Sequence, residues 1–288
     1  MSKLHPPLNL PFPHNSYHGM ALPVFVTPER LLHLRDNHKA QPRDVCLVTY
    51  PKSGTTWLSY ILHQLHDKPK LTSLDDAVPW ITTLPPSVVE ELSAPRIFRL
   101  HLLHDWLPES ITKETKIIYC YRNPKDVSVS YFHHTKFFKQ IYDGFEFESF
   151  DEFFQHYMSN NPLHYGTWIQ HVRNWLPHRN DPNVLFVSYE DMVEELPRVI
   201  RQIAKFLEVS VSEERVDEIA NNSSFSSMKK DDRLNRKDLG ENIVDMKKDF
   251  IRKGKVGDWK NTLTENQARV LDELCSTLPD DFKVRFEL

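Results

Sequence analysis

Five adjacent residues, Lys52, Ser53, Gly54, Thr55 and Thr56, put one ammonium, three hydroxyls and a glycine into the stretch "TYPKSGTTWL", Thr49 to Leu58. Such a set can hold an anion. The run before it, "VCLVTY" (Val45 to Tyr50), is short, apolar and β-branched, as in a strand buried on both faces. After it, Leu58, Ile61, Leu62 and Leu65 recur at the spacing of one helix face. Tyr50 ends the strand and Trp57 opens the helix, so Lys52 to Thr56 form the turn. Backbone N–H groups are free at a helix start and the dipole there favours negative charge. Lys52 adds a mobile point charge, and Ser53, Thr55 and Thr56 add hydroxyl donors. A plain capped turn, with Ser53 or Thr55 as N-cap and Gly54 supplying an unusual φ, uses the same residue types. A nucleoside triphosphate loop reads G-x-x-x-x-G-K-[ST]. Here Lys52 precedes Gly54 and no glycine stands earlier in the loop, which counts against an ATPase.

Two further segments have the same character. In "YRNPKDVSVSYFHH", Arg122 stands where the apolar run "KIIYCY" (Lys116 to Tyr121) stops, Pro124 suits a first helical turn, and Ser130 lies two turns inside. A guanidinium fork with a serine hydroxyl grips a phosphate at two points. Near the carboxyl terminus, "FIRKGKVGDWKN" gathers Arg252, Lys253 and Lys255 around Gly254 and Gly257. Its glycines allow a tight loop whose amides face an anion, although a solvated basic loop has the same composition. Three separated anion-gripping segments suggest a nucleotide with phosphates at two ends.

The elements that must position them form an α/β pattern. "NVLFVSY" (Asn183 to Tyr189) is a third strand-like run, and "LPRVIRQIAKFLE" repeats helical spacing through Val199, Ile203, Phe206 and Leu207. Alternating strands and helices predict a single domain with a central parallel sheet flanked by helices. Ligands of such sheets collect outside the carboxyl ends of the strands. The 288 residues, 40% of them hydrophobic, suffice for one core, and no linker or repeat divides them. A net charge of −4 argues against a general nucleic-acid binder. The first twenty residues lack the apolar run of a secretory signal or membrane anchor, and Ser2 stands where myristoylation needs glycine. Cys46, Cys120 and Cys275 are odd in number and far apart, which suits a reducing, cytoplasmic setting.

In order and spacing the three segments resemble those of the cytosolic sulfotransferases, which move a sulfuryl group from 3′-phosphoadenosine 5′-phosphosulfate (PAPS) to an acceptor and leave the bisphosphate PAP. The likeness continues through "VPWI", "YGTWIQHV" and "FVSYEDM", nearly the whole chain. It implies that Lys52 meets the bridging oxygen and the transferring group, with Ser53, Gly54, Thr55, Thr56 and Trp57 around the 5′-phosphate and adenine. Arg122 and Ser130 would hold the 3′-phosphate together with Arg252, Lys253 and Gly254. Tyr189, Ser223 and Phe225 would line the adenosine site, Ser223 standing where the family usually has threonine. The resemblance also implies in-line transfer without a metal, with Lys52, Ser130 and a histidine base as the catalytic set.

Fifteen histidines leave the base undetermined by residue type, and His104 stands close by. The match to the family's K-T-H-L pattern selects His101. Arg99 and Leu100 replace the lysine and threonine before it, so altered acceptor handling is expected there. The resemblance implies as acceptor the hydroxyl, or an amine, of a small hydrophobic molecule such as a phenol, steroid or alcohol. Residues 1–40 are expected on the acceptor side, where Phe25, Trp80, Arg99, Phe137, Phe138, Tyr142 and Phe147 are candidates for its walls. The stretch Phe138 to Tyr165 is expected to hold a mobile gate. In the family's dimer motif, Glu265 and Arg269 replace valine and glutamate between Lys260, Thr264 and the helix beyond, which leaves monomer or altered homodimer open. Two rivals remain on the residues alone: a P-loop kinase, with "VLFVSYED" as its magnesium strand, and a nucleotide-binding protein without turnover.

Overall fold

A computed structural model describes residues 10–66, 71–92, 94–159 and 163–288. The first nine residues of the expected acceptor-side segment, and residues 160–162 of the expected gate, lie outside the described residues. Four strands, β3 (Val45–Thr49), β4 (Ile97–Leu100), β5 (Lys116–Tyr121) and β6 (Val184–Ser188), form one parallel sheet in the order β4-β3-β5-β6. A small antiparallel hairpin, β1 (Asn15–Tyr17) and β2 (Met20–Leu22), precedes it.

The continuous apolar runs follow from burial on both faces of the sheet. Val45 and Leu47 of β3 point into a cluster with Leu58, Ile61 and Leu62 of the helix Thr55–Leu65 and Val199, Ile200 and Ile203 of the helix Tyr189–Phe206. Cys46 and Val48, one residue out of phase, point the other way, into a cluster with Leu31, Leu34, Ile111 and Trp175. A third apolar cluster, around Phe137, Phe147, Phe153 and Trp168, lies under the helices Pro124–Phe137, Phe150–Met158 and Trp168–Trp175. Among the described residues no helix is long and apolar enough to cross a membrane.

β4 is the strand that apolar runs do not reveal, because it carries Arg99, buried at 2% exposure, in the middle of "IFRL". Its outer edge is closed by the segment around Trp80: Arg99 N–H donates to the Pro79 carbonyl at 2.9 Å, and Ile81 N–H to the Arg99 carbonyl at 3.3 Å. At the amino end of the sheet, Arg96 Nε donates to Asp44 Oδ1 at 3.0 Å and Asp44 Oδ2 accepts from Gln41 N–H at 2.8 Å. Both charges are almost fully buried. Asp44→Ala leaves the Arg96 guanidinium without its carboxylate and is expected to cost about 3–5 kcal/mol of folding stability, read by denaturant unfolding; a loss below about 1 kcal/mol would show the pair to be dispensable.

Parallel order gathers the carboxyl ends of all four strands at one edge. Within three residues of those ends come Lys52 after β3, His101 after β4, Arg122 after β5 and Tyr189 after β6. Residues far apart in the chain therefore meet by topology alone.

Candidate active site

The helix after β3 begins at Thr55, two residues before Trp57, because Gly54 is its N-cap in the left-handed region (φ 111°). A Cβ at Gly54 would stand 3.1 Å from Tyr189 Cδ2 and 3.4 Å from Cys120 Sγ, so glycine is required there for space as well as conformation. Thr55 Oγ1 is engaged with Thr49 Oγ1 at 2.7 Å. Ser53 Oγ and Trp57 Nε1 are buried and find no hydrogen-bond partner among the described residues. Buried donors of this kind are costly unless something accepts from them.

Lys52 itself has φ 70° and holds its Nζ 3.9 Å from the centre of the Phe250 ring. Burial, reinforced by the charges of Arg122, Arg252 and Arg236, lowers its ammonium to about 7. An added negative charge would act against these effects and raise the value.

Arg122 is buried, with its guanidinium 4.1 Å from the Tyr189 ring centre. Its Nη2 donates to the Lys255 carbonyl at 3.1 Å, and its Nε has no partner among the described residues. Ser130, in the helix Pro124–Phe137, lines the same cavity. That helix also holds the basic loop, since Asp126 accepts from Gly257 N–H at 2.9 Å and from Trp259 N–H at 3.0 Å. Arg252 and Lys253 are paired with Asp258, at 2.6 and 2.5 Å. Burial opposes ionisation of Asp258, but bonds from Lys253, Arg252 and Asn261 together outweigh it and hold the carboxyl down to about 2. Gly254 (φ 63°) lies against Phe225: a Cβ there would come within 2.3 Å of the ring. Tyr189 meets the Trp57 ring edge-on at 5.4 Å, and Ser223 Oγ accepts from Gln64 Nε2 at 2.9 Å.

His101 leaves β4 and turns its Nδ1 to the Thr49 carbonyl at 2.6 Å. A carbonyl can only accept, so Nδ1 carries the proton and Nε2 keeps its lone pair. The ring is buried between Trp80 and Tyr165, at 4.7 and 5.0 Å. Burial, only partly offset by the Thr49 bond, pushes its pKa down to about 3, with His171, Arg99 and Lys52 adding to the effect. The imidazole is therefore neutral at physiological pH, with its Nε2 lone pair unprotonated.

Lys52, Gly54 to Trp57, His101, Arg122, Ser130, Tyr189, Ser223, Phe225, Phe250 and Arg252 to Gly254 border one cavity of about 460 Å³, whose lining does not include Ser53. Phe25, Trp80, Arg99, Phe138 and Tyr142 also line it, whereas Phe137 and Phe147 are turned into the third apolar cluster. Pro23 and Phe25 come from the segment after the β1–β2 hairpin, which is held by Tyr165 N–H donating to the Ala21 carbonyl at 2.8 Å. Arg99 and Arg236 both donate to Asp75, and Arg99 packs on Trp80 at 4.6 Å. Burial, partly offset by Asp75 and reinforced by Arg236, holds Arg99 down to about 9. The sequence reading missed Asp75, Arg236, His134, Phe250 and Asp258. His134 follows Ser130 by one helical turn and was open to discovery by spacing; Arg236 belongs to no motif.

Outside the cavity lining, His104, Asp105 and His178 bring possible metal-ligand atoms within 4.8 Å of one another, a cluster that sequence spacing does not disclose. Lys260 pairs with Glu287 at 2.7 Å, Thr264 caps the helix Glu265–Cys275, and Arg269 pairs with Glu273 at 2.5 Å.

The arrangement sets a row of cations and unpartnered donors along one wall, with a neutral imidazole beside it. Comparison with known proteins identifies the family. Residues 42–283 match the sulfotransferase domain family. The chain is 39% identical over 267 residues to sulfotransferase 1A1 of Rattus norvegicus, covering 88% of this chain and 90% of that protein. It is 34% identical over 269 residues to sulfotransferase 2A1 of Homo sapiens, covering 90% and 92%. Its structure is similar to that of mouse sulfotransferase SULT7A1 complexed with PAP, with a TM-score of 0.74, 31% identity, and coverage of 90% of this chain and 91% of that one.

Proposed function

This chain belongs to the sulfotransferase family, and from that premise we propose that it transfers a sulfuryl group from PAPS to a hydroxyl of a small hydrophobic acceptor, with His101 as base. One observation carries the reading: the Lys52 ammonium and the neutral His101 imidazole border the same cavity, beside buried donors without partners.

The residues suit PAPS. Ser53 Oγ, Trp57 Nε1 and Arg122 Nε are donors in want of an acceptor. Arg122 with Ser130, and Arg252 with Lys253 and Gly254, would hold the 3′-phosphate; Lys52 to Thr56 would hold the 5′-phosphate at the helix start. Trp57, Tyr189, Ser223 and Phe225 would enclose the adenosine. When bound, PAPS supplies the sulfuryl group and a bisphosphate leaving group. Positioning and fixed positive charge then do most of the work, as in phosphoryl transfer. Lys52 neutralises charge developing on the leaving oxygen. His101 Nε2 removes the acceptor proton, while the Thr49 carbonyl fixes the ring and steadies the imidazolium that results. Phe138, Tyr142 and Phe25 keep water from the acceptor side.

The expected result with radiolabelled PAPS, EDTA and a panel of phenols, steroids and amines is metal-independent transfer. PAP binding without turnover on any acceptor would leave a binding protein instead, and ATP-dependent, EDTA-sensitive transfer would leave a kinase. The same reading includes cytoplasmic function, and a dimer interface that is absent or rebuilt, since Lys260, Thr264 and Arg269 are engaged within the chain.

A pH effect follows from Lys52. Its ammonium stands at about 7, and an anion beside it raises that value, so above pH 7 nucleotide binding takes up a proton. Affinity for PAP is expected to fall as pH rises through 7, approaching tenfold per unit. Calorimetry at pH 8 in two buffers of different ionisation enthalpy should register the uptake in the wild type and not in Lys52→Met. Proton release on binding would contradict it.

A further inference from the structure

On the acceptor side, two guanidiniums share one carboxylate. Arg99 and Arg236 both donate to Asp75, one to each oxygen, which leaves a surplus positive charge. Arg99 is 2% exposed and Arg236 7% exposed. Arg99 Nε and Arg236 Nη1 nevertheless find no hydrogen-bond partner among the described residues. Both residues border the cavity, whose cationic lining is Lys52, Arg99, Arg122, Arg236, Arg252 and Lys253, with Asp75 the sole carboxylate among the described lining residues. The proposed nucleotide accounts for four of these cations. Arg99 and Arg236 are left over, and a buried guanidinium donor without an acceptor is a cost that an incoming anion removes.

We propose that Arg236 and Arg99 form an anion subsite in the acceptor pocket, and that the preferred acceptor is a hydroxylated carboxylic acid with a compact apolar body. The carboxylate half of this rests on the arginine cluster alone; the hydroxyl half rests on the transfer reading above. A guanidinium fork matches a carboxylate in shape as well as charge. Trp80 links the two ends, with the Arg99 guanidinium 4.6 Å and the His101 ring 4.7 Å from its ring centre. An aromatic body lying along this indole puts its hydroxyl at His101 and its carboxylate at the arginines. An amine is disfavoured, because both Asp75 oxygens are already taken.

The test is calorimetric binding of 3-(4-hydroxyphenyl)propionate and of its neutral amide, each with PAP at saturation. Wild-type protein is expected to bind the acid about ten- to a hundredfold more tightly than the amide. Arg236→Met should erase that preference while leaving the amide affinity unchanged, and Arg236→Lys should keep part of it. Equal affinities in the wild type would overturn the subsite, and need no variant. So would an Arg236→Met protein that still prefers the acid. If the acid binds tightly but radiolabelled PAPS gives no transfer to it or to any acceptor of the panel, the transfer reading fails and the subsite stands. If acid and amide bind equally and both are sulfated, the subsite fails and the transfer reading stands.

Discussion

Lys52→Met is expected to slow sulfuryl transfer by about 10²–10³-fold, the usual effect of removing one preorganised donor from an oxygen on which charge develops. Methionine keeps much of the length and the contact with the Phe250 ring, so the change is chiefly one of charge. Arg122, Arg252 and Lys253 remain to hold the phosphates, and PAP affinity at pH 6.5 should fall far less than the rate. The distinction between rate and affinity is the point of the experiment. Single-turnover kinetics at saturating PAPS read the rate directly. An unchanged rate with weakened binding would make Lys52 a phosphate ligand and no more.

The second large effect is at the base. His101→Asn keeps an amide able to donate to the Thr49 carbonyl but removes the proton acceptor, and transfer should fall by about 10²–10⁴-fold with PAP binding retained. The wild-type pH profile offers a check without mutation. A histidine at its ordinary value would give kcat/KM an acid limb near 6.5. Burial of His101 to about 3 removes that limb, so kcat/KM should stay level on that account from pH 7 down to about 5. A limb at 6.5 that disappears in His101→Asn would show the imidazole to be far better solvated than its enclosure between Trp80 and Tyr165 implies.

What the sequence disclosed and what it hid divide along a physical line. Lys52, Gly54, Arg122 and the Arg252–Gly254 loop were legible because charge, hydroxyls and glycine lie together within a few residues. β3, β5 and β6 were legible as unbroken apolar runs. β4 was not, because Arg99 interrupts the run, and the carboxylate that makes its burial tolerable comes from Asp75, with Arg236 far along the chain adding a second claim on it. The start of the helix Thr55–Leu65 was misplaced by two residues because a left-handed glycine cap has no side-chain signature. Asp258 is adjacent to the basic loop in sequence, yet nothing in its type announces that it pairs with Arg252 and Lys253 at once. His101 was chosen only through family likeness: the group that sets its tautomer is a backbone carbonyl on a neighbouring strand, and no side-chain pattern encodes that.

Thr49 touches both halves of the proposed reaction. Its carbonyl steers His101, and its hydroxyl grips Thr55 at the helix start, at 2.6 and 2.7 Å. The span between the proposed donor cradle and proton acceptor is thus set by a single residue of an interior strand, while the proposed acceptor walls come from loops and from the hairpin side. New substrates can be admitted by recutting those walls, and the gauge between the two reacting partners stays the same.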